Sequence, residues 1–118
     1  MKEGPVQDAI QRWLHRFPVP VRVRKLSDRY TRGLPDLQAF YVHRGVLVLL
    51  EVEVKRPKGG KLSALQVAES DAMRKATAQA FYGVYVHVVA KGVADVRQAL
   101  EAANVGFAET DLLPLRRT

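Results

Sequence analysis

Hydrophobic residues recur near the amino terminus at the spacing of one face of a helix. They stand at i, i+4, i+7, i+8 and i+11, which aligns Val6, Ile10, Trp13, Leu14 and Phe17 in one stripe. Pro5 suits the first turn of this helix, and Pro18 is predicted to end it. Because such a stripe packs against a core, we expect Trp13 to be a core residue.

Apolar residues next alternate with polar ones or run together, which is typical of β-strands. Three strands are predicted, at 21–24, 34–42 and 46–54. In the first of them valines alternate with Arg22 and Arg24, so this strand has one basic face. A long helix rich in Ala, Leu, Gln and Lys, a strand containing His87 and a short helix follow, at 62–81, 84–90 and 94–103. The order α-β-β-β-α-β-α indicates one α/β domain over residues 1–118.

The predicted hairpin brings acidic residues together. With a turn at Arg44-Gly45, Asp36 lies opposite Glu53, and Gln38 lies opposite Glu51. Because side chains alternate, these four residues share one face with Lys55. The other face is almost wholly apolar and suited to burial; it comprises Leu37, Ala39, Tyr41, Val46, Val48, Leu50, Val52 and Val54.

Two carboxylates that face each other across a sheet repel unless a cation lies near them. A divalent metal ion or the ammonium group of Lys55 would remove this penalty. Oxygen ligands without cysteine or clustered histidine suit Mg²⁺ or Mn²⁺ better than Zn²⁺. The alternative is a solvated hairpin end whose charges only keep an edge soluble. We favour metal binding, because a purely structural hairpin has little reason to oppose two acids.

The chain carries a net charge of +7, from 19 Lys and Arg against 12 Asp and Glu, which makes nucleic acid a candidate partner. Most of the excess positive charge lies in the first half of the chain. Residues 22–32 contain a single acidic residue, Asp28, and five basic ones: Arg22, Arg24, Lys25, Arg29 and Arg32. Such a stripe is typical of proteins that bind a phosphate backbone, although a merely solvated surface explains it equally well.

Composition also excludes several classes of protein. The absence of cysteine excludes a disulfide scaffold, a thiolate zinc site and a cysteine nucleophile. The apolar runs are too short to cross a bilayer, and the amino terminus lacks the apolar region of a secretion signal. We therefore expect a soluble, cytoplasmic protein with no membrane partner.

Three motifs follow one another along the chain: Gly33-Leu34-Pro35-Asp36, Glu53-Val54-Lys55-Arg56-Pro57 and Lys61-Leu62-Ser63-Ala64-Leu65-Gln66. A fourth, Glu3-Gly4-Pro5-Val6-Gln7, opens the first predicted helix. Together they resemble the PD-(D/E)XK nuclease superfamily, and more narrowly its VRR-NUC branch, over about residues 3–100. The resemblance implies a restriction-endonuclease-like α/β fold, with an αβββαβ core whose mixed central sheet is flanked by helices.

The resemblance further implies a Mg²⁺-dependent endodeoxyribonuclease in which Mn²⁺ can replace Mg²⁺. It assigns Asp36 and Glu53 to the metal ion, with the backbone carbonyl of Val54 as a further ligand. It assigns Lys55 to the attacking water and to the charge of the transition state. Because Glu51 stands two residues before Glu53, an exchange of the two as metal ligand stays open.

Two other residues of these motifs each have two open roles. The resemblance places Gln66 at the edge of the active site. Alternatively, Ser63 and Gln66 form a capping box that starts the long helix. Glu3 orders a second metal ion or its water shell, or it belongs to a frayed terminus.

A stand-alone domain of this size resembles the homodimeric, junction-resolving members of the superfamily. A Holliday junction is therefore the first choice of substrate; a flap-type or less discriminating endonuclease and a non-catalytic DNA-binding module are the alternatives. The residues expected to contact DNA are Arg22, Arg24, Arg29, Arg32, Lys58 and Lys61. The apolar tail Leu112-Leu113-Pro114-Leu115 is expected in the dimer interface, with docking on its own core as the alternative.

Overall fold

The computed structural model describes residues 3–26, 35–54, 64–78 and 83–114. Its elements are α1 (Glu3–Leu14), β1 (Arg22–Lys25), β2 (Leu37–His43), β3 (Val46–Val54), α2 (Ala64–Ala78), β4 (Gly83–Ala90), α3 (Val93–Ala102) and a 3₁₀ turn (Glu109–Asp111). This order confirms the prediction from the sequence. The predicted start of the second strand at 34 and the predicted ends of the long helix at 62 and 81 lie outside the described residues.

The four strands form a mixed sheet in the order β1-β2-β3-β4. The pairs β1–β2 and β2–β3 are antiparallel, whereas β4 runs parallel to β3. The helix α2 lies between β3 and β4 in the chain, as a parallel connection requires. The result is the α/β architecture with a mixed sheet that the resemblance implies.

The hairpin between β2 and β3 has the predicted turn and register. Arg44 and Gly45 both have positive φ, 49° and 81°, which is the requirement of the two-residue type I′ turn. This turn fixes the pairing, and Gln38 lies opposite Glu51 as expected. Asp36 comes directly before β2, beside the end of β3.

The two faces of the sheet have different partners. The predicted apolar face packs against α1 and α3. The core residues from these helices and from the turn after α1 are Ile10, Trp13, Leu14, Phe17, Val96 and Leu100. The opposite face carries Gln38, Glu51 and Glu53, and α2 approaches it through side-chain contacts to β3 and β4. We call this second face the site face.

The carboxyl end of α3 is fixed beneath the sheet by Tyr41. Asn104 adopts a left-handed conformation with φ of 59°, and the N–H of Val105 donates to the Leu100 carbonyl, which is the Schellman pattern of helix ends. The buried Tyr41 hydroxyl then donates to the Val105 carbonyl at 2.6 Å. Burial raises the pKa of this hydroxyl, so Tyr41 stays protonated as a donor.

We predict that Tyr41→Phe destabilises the protein by about 1–3 kcal/mol, because it removes a buried donor and leaves its acceptor without that bond. The ring contacts of Tyr41 with Phe17 and Phe107 survive the substitution. Urea unfolding should therefore show a lower midpoint with an unchanged slope. A midpoint equal to that of the wild type would contradict a structural role for this hydroxyl.

The carboxyl-terminal tail docks on its own chain. The N–H of Leu113 donates to the Arg16 carbonyl at 2.7 Å, and Arg16 Nε donates back to the Leu113 carbonyl at 2.8 Å. Leu112 packs against the core, while Leu115 lies outside the described residues. The Arg16 carbonyl can accept this bond because α1 ends at Leu14 and no later turn of the helix supplies an N–H for it. The backbone of the tail thus follows the alternative expectation, docking on its own core. The Leu113 side chain is nevertheless 49% exposed, and a role of the tail in a dimer interface stays a prediction.

Within the described ranges, no helix combines the length and the apolar character that a membrane-spanning segment needs.

Candidate active site

The start of β2 and the end of β3 hold two carboxylates side by side. Asp36 Oδ2 accepts a hydrogen bond of 2.7 Å from the N–H of Val54, the residue after Glu53. The Asp36 carbonyl accepts another from the N–H of Leu26, which ties this position to the end of β1. The hairpin register therefore brings Asp36 beside Glu53, as predicted from the sequence.

Glu53 lies in a buried environment that disfavours its negative charge. The residue is 4% exposed, and burial raises the pKa of its carboxyl group. The neighbouring His87 lowers this pKa in part, while the charge of Asp36 raises it further. Two acids here do not form a solvated hairpin end, because Glu53 and Glu51 are both buried. Among the described residues, the charges of Asp36 and Glu51 both raise the pKa of Glu53, and a bound cation would relieve this repulsion.

The first turn of α2 contributes Gln66 to this site. Gln66 Nε2 donates to Glu53 Oε2 at 2.7 Å, so the side chain reaches across to the end of β3. This contact agrees with a position of Gln66 at the active-site edge, and the capping role stays open beside it. Ser63, its partner in the predicted capping box, lies outside the described residues.

Glu51 is buried as well, but its carboxylate already has two neutral donors. Gln38 Nε2 donates to Glu51 Oε2 at 3.0 Å, and the Tyr85 hydroxyl donates to Glu51 Oε1 at 2.6 Å. Ser70 Oγ lies 3.3 Å from the same hydroxyl. Burial and the bond to Glu51 raise the pKa of Tyr85, so it remains a donor. Both carboxylate oxygens of Glu51 are thus engaged, and Glu53 is the better candidate ligand.

The sequence analysis missed the contacts that Tyr85 and His87 make with the acids; that of His87 is with Glu53. His87 lies in β4, as expected, and its Cα partner in the parallel register is Glu51. Its side chain is buried, with Nε2 3.7 Å from Glu53 Oε1. The alternation along β4 places Tyr85 and His87 on one face, but their approach to the acids depends on the pairing of β4 with β3. That pairing joins segments far apart in the sequence, so it cannot be predicted from the register of the hairpin.

The basic strand β1 lies at the edge of the site face. Arg24 pairs with Gln38 and Arg22 with Phe40, and both arginines are exposed. The remaining predicted contacts to metal or DNA lie outside the described residues: Lys55, Arg29, Arg32, Lys58 and Lys61. Glu3 is the first residue of α1, and its side chain also lies outside what the structure describes.

The donor set fits a hard divalent cation. No group of three His, Cys, Asp or Glu side chains with metal-binding geometry occurs among the described residues. Mg²⁺ does not need such a cage, because it is commonly held by one or two carboxylates while waters and substrate phosphates complete its shell. Asp36, Glu53 and the backbone carbonyl of Val54 are oxygen donors of this kind.

No family model matches this sequence, and no curated protein does. A solved structure of a VRR_NUC domain is similar, with a TM-score of 0.54 and 31% sequence identity; the similarity covers 84% of this chain and 94% of that one. The similarity therefore concerns sequence as well as fold, and it spans nearly all of the known domain. It implies a nuclease-type domain with a restriction-endonuclease-like fold. The chain belongs to the VRR_NUC domain family.

Proposed function

We propose that the protein is a Mg²⁺-dependent endodeoxyribonuclease that hydrolyses phosphodiester bonds in branched DNA, with Mn²⁺ able to replace Mg²⁺. The observation that carries this proposal is the buried Glu53 carboxylate beside an Asp36 carboxylate fixed by the Val54 N–H. The membership in the VRR_NUC family supports nuclease chemistry at this pair of acids.

In this proposal, Asp36, Glu53 and the Val54 carbonyl hold the metal ion. When bound, a divalent cation lowers the pKa of a coordinated water and stabilises the charge that develops on the phosphate. The Val54 N–H orients the Asp36 carboxylate, and the Gln66 amide holds one oxygen of Glu53 in place. Lys55 follows Val54 directly; by the family resemblance it neutralises charge on the phosphate in the transition state.

Branched DNA, with a Holliday junction as the first choice, is the proposed substrate. One preparation should be incubated with four-way, flap, single-stranded and linear duplex DNA, each with Mg²⁺, Mn²⁺ or EDTA. We expect metal-dependent cuts, fastest on the four-way junction. Faster cleavage of the flap would favour the flap-type alternative, whereas binding without any cleavage would identify a non-catalytic DNA-binding module.

The exposed arginines of β1 are the proposed contacts to the DNA backbone, because they share the site face with the acids. We predict that Arg22→Gln/Arg24→Gln weakens binding to all DNA forms similarly. The logarithm of the affinity falls as the logarithm of the salt concentration rises, and each lost phosphate contact makes this fall less steep by about 0.9. Fluorescence anisotropy across a range of salt concentrations measures this slope.

A charge-matched control comes from the helices on the opposite side of the sheet. Arg12 lies in α1 and Arg97 in α3, so Arg12→Gln/Arg97→Gln removes the same charge away from the site face. We expect this control to leave the salt slope nearly unchanged. Altered discrimination among substrates with an unchanged slope in the β1 variant would contradict backbone contacts there.

We also propose a homodimer, because two symmetric cuts in a four-way junction suit two equivalent sites on one particle. Static light scattering at micromolar protein should give twice the chain mass of 13.2 kDa. A monomer that still cuts opposed strands of a junction would overturn the dimer and leave the nuclease proposal standing.

A further inference from the structure

The two edges of the sheet differ in charge. One edge is β1 (Arg22–Lys25), in which three of the four residues are charged. The other edge is β4 (Gly83–Ala90), whose eight residues include no Lys, Arg, Asp, Glu or Pro. Proteins protect an exposed edge strand with charges, prolines or a short length, because its unpaired backbone groups otherwise pair with another chain. Of these two edges, only β1 has such protection.

The outer side of β4 is open within the described part of the chain. Its ladder joins it to β3, and no other backbone hydrogen bond among the described residues involves it. An edge strand presents a row of unpaired N–H and C=O groups on its outer side. Six of the eight residues of β4 are also partly exposed, whereas β3 is buried from Val48 to Val54. A mostly apolar strand thus offers a free row of hydrogen-bonding groups.

The charge of the chain favours a second copy as the partner of this edge. Each copy carries a net charge of +7, so two copies repel each other wherever basic surfaces meet. An approach through β1 would bring Arg22, Arg24 and Lys25 of both copies together, whereas an approach through β4 brings no charged side chain of that strand into the contact. A twofold axis needs only one such surface, because the same edge serves both copies.

We propose that the protein dimerises by antiparallel pairing of β4 with β4 of a second copy, which joins the two sheets into one. This inference rests on the proposed homodimer and specifies its interface. The twofold axis of an antiparallel pair is perpendicular to the sheet, so the site faces of both copies lie on the same side.

The pairing also sets how the two sites are spaced. Glu53 lies opposite Val89, near the carboxyl end of β4, so the two sites lie toward opposite ends of the paired strands. Strand β3 and β3 of the second copy are three strand spacings apart, which is about 14 Å. One DNA molecule on this side of the joined sheet can therefore contact both sites.

Amide hydrogen exchange of the wild-type chain, followed by mass spectrometry at several protein concentrations, tests this interface. The outward amides of β4 exchange only from the dissociated chain, so their exchange should slow by about tenfold where about nine-tenths of the chains are dimeric. The other edge strand, β1, is the internal control, and its exchange should not depend on concentration. The measurement needs neither metal nor DNA, so its result is independent of the nuclease chemistry.

Two matched substitutions test the same interface through dissociation of the dimer. Val84 in β4 and Val23 in β1 are both partly buried residues that pack against the core from an edge strand. Val84→Lys brings like charges together across the pair, so we expect the dissociation constant to rise by at least about tenfold. Val23→Lys should leave it nearly unchanged. Static light scattering over a series of concentrations measures both.

The wild type alone can overturn the inference, so the test does not depend on the folding of either variant. A dimer whose β4 exchange does not change with concentration would refute this interface and leave the homodimer in place. Protection that grows with concentration only in the tail, at Leu112 and Leu113, would do the same and move the interface there. A chain that stays monomeric at every concentration would refute both the inference and the homodimer, while the nuclease proposal would stand.

Discussion

Asp36→Asn is expected to slow DNA cleavage by at least about a hundredfold to a thousandfold, the range typical of losing one preorganised electrostatic group. The asparagine has the shape of the aspartate, and its amide oxygen can still accept from the Val54 N–H. The fold is therefore kept while the charge that would hold the metal ion is lost. DNA binding should be retained or tightened, because a negative charge facing phosphate is removed. Single-turnover cleavage and anisotropy in EDTA measure the two effects separately.

Glu51→Gln is the matched control for this prediction. It removes the same charge from the same face, but Glu51 already accepts from Gln38 and Tyr85, so its carboxylate is less available to a metal ion. We expect a much smaller loss of cleavage. Full activity in Asp36→Asn would contradict metal binding by Asp36. An inactive Glu51→Gln would show that Glu51, and not Glu53, is the metal ligand from β3.

Glu53→Gln is expected to slow cleavage as much as Asp36→Asn does. Unlike Asp36→Asn, it is also expected to stabilise the metal-free protein at neutral pH. Burial raises the pKa of Glu53 in the folded state, so this state holds the proton more tightly than the unfolded state does. The stability of the wild type therefore falls as pH rises from the ordinary pKa of a glutamate to the raised value, and then levels off. The glutamine does not titrate and lacks this fall.

Urea unfolding in EDTA between pH 4 and pH 8 tests this second prediction. The wild type and Glu53→Gln should diverge as pH rises, with the variant the more stable at pH 8. Added Mg²⁺ should stabilise the wild type and leave the variant nearly unaffected, because only the wild type keeps both carboxylates. A variant less stable than the wild type at every pH in EDTA would show that the Glu53 charge carries no penalty in the fold.

The hairpin was the most predictable part of the fold and of the site. Arg44-Gly45 suits a two-residue turn, the turn sets the register, and the register places Asp36 beside Glu53. The alternation along β2 and β3 likewise identifies the buried face. All of these features follow from neighbours in the sequence.

The features that sequence analysis missed depend on contacts between distant segments. The pairing of β4 with β3 brings Tyr85 to Glu51 and His87 to Glu53, and no local pattern specifies that pairing. Docking of the tail on its own core was the alternative expectation, but its particular contact, Leu113 with Arg16, likewise joins segments far apart in the sequence. The predicted role of Lys55 stays a prediction, since it lies outside the described residues.

The most direct test of the proposed metal-dependent nuclease is cleavage of an end-labelled four-way junction by the wild type and by Asp36→Asn in parallel reactions. Each protein is assayed with Mg²⁺, with EDTA, and with EDTA followed by excess Mg²⁺. We predict that the wild type cuts in Mg²⁺, stops in EDTA and recovers when Mg²⁺ is restored, whereas Asp36→Asn binds the junction and does not cut it. Cleavage that persists in EDTA, or an equal rate in Asp36→Asn, would contradict the assignment of this site.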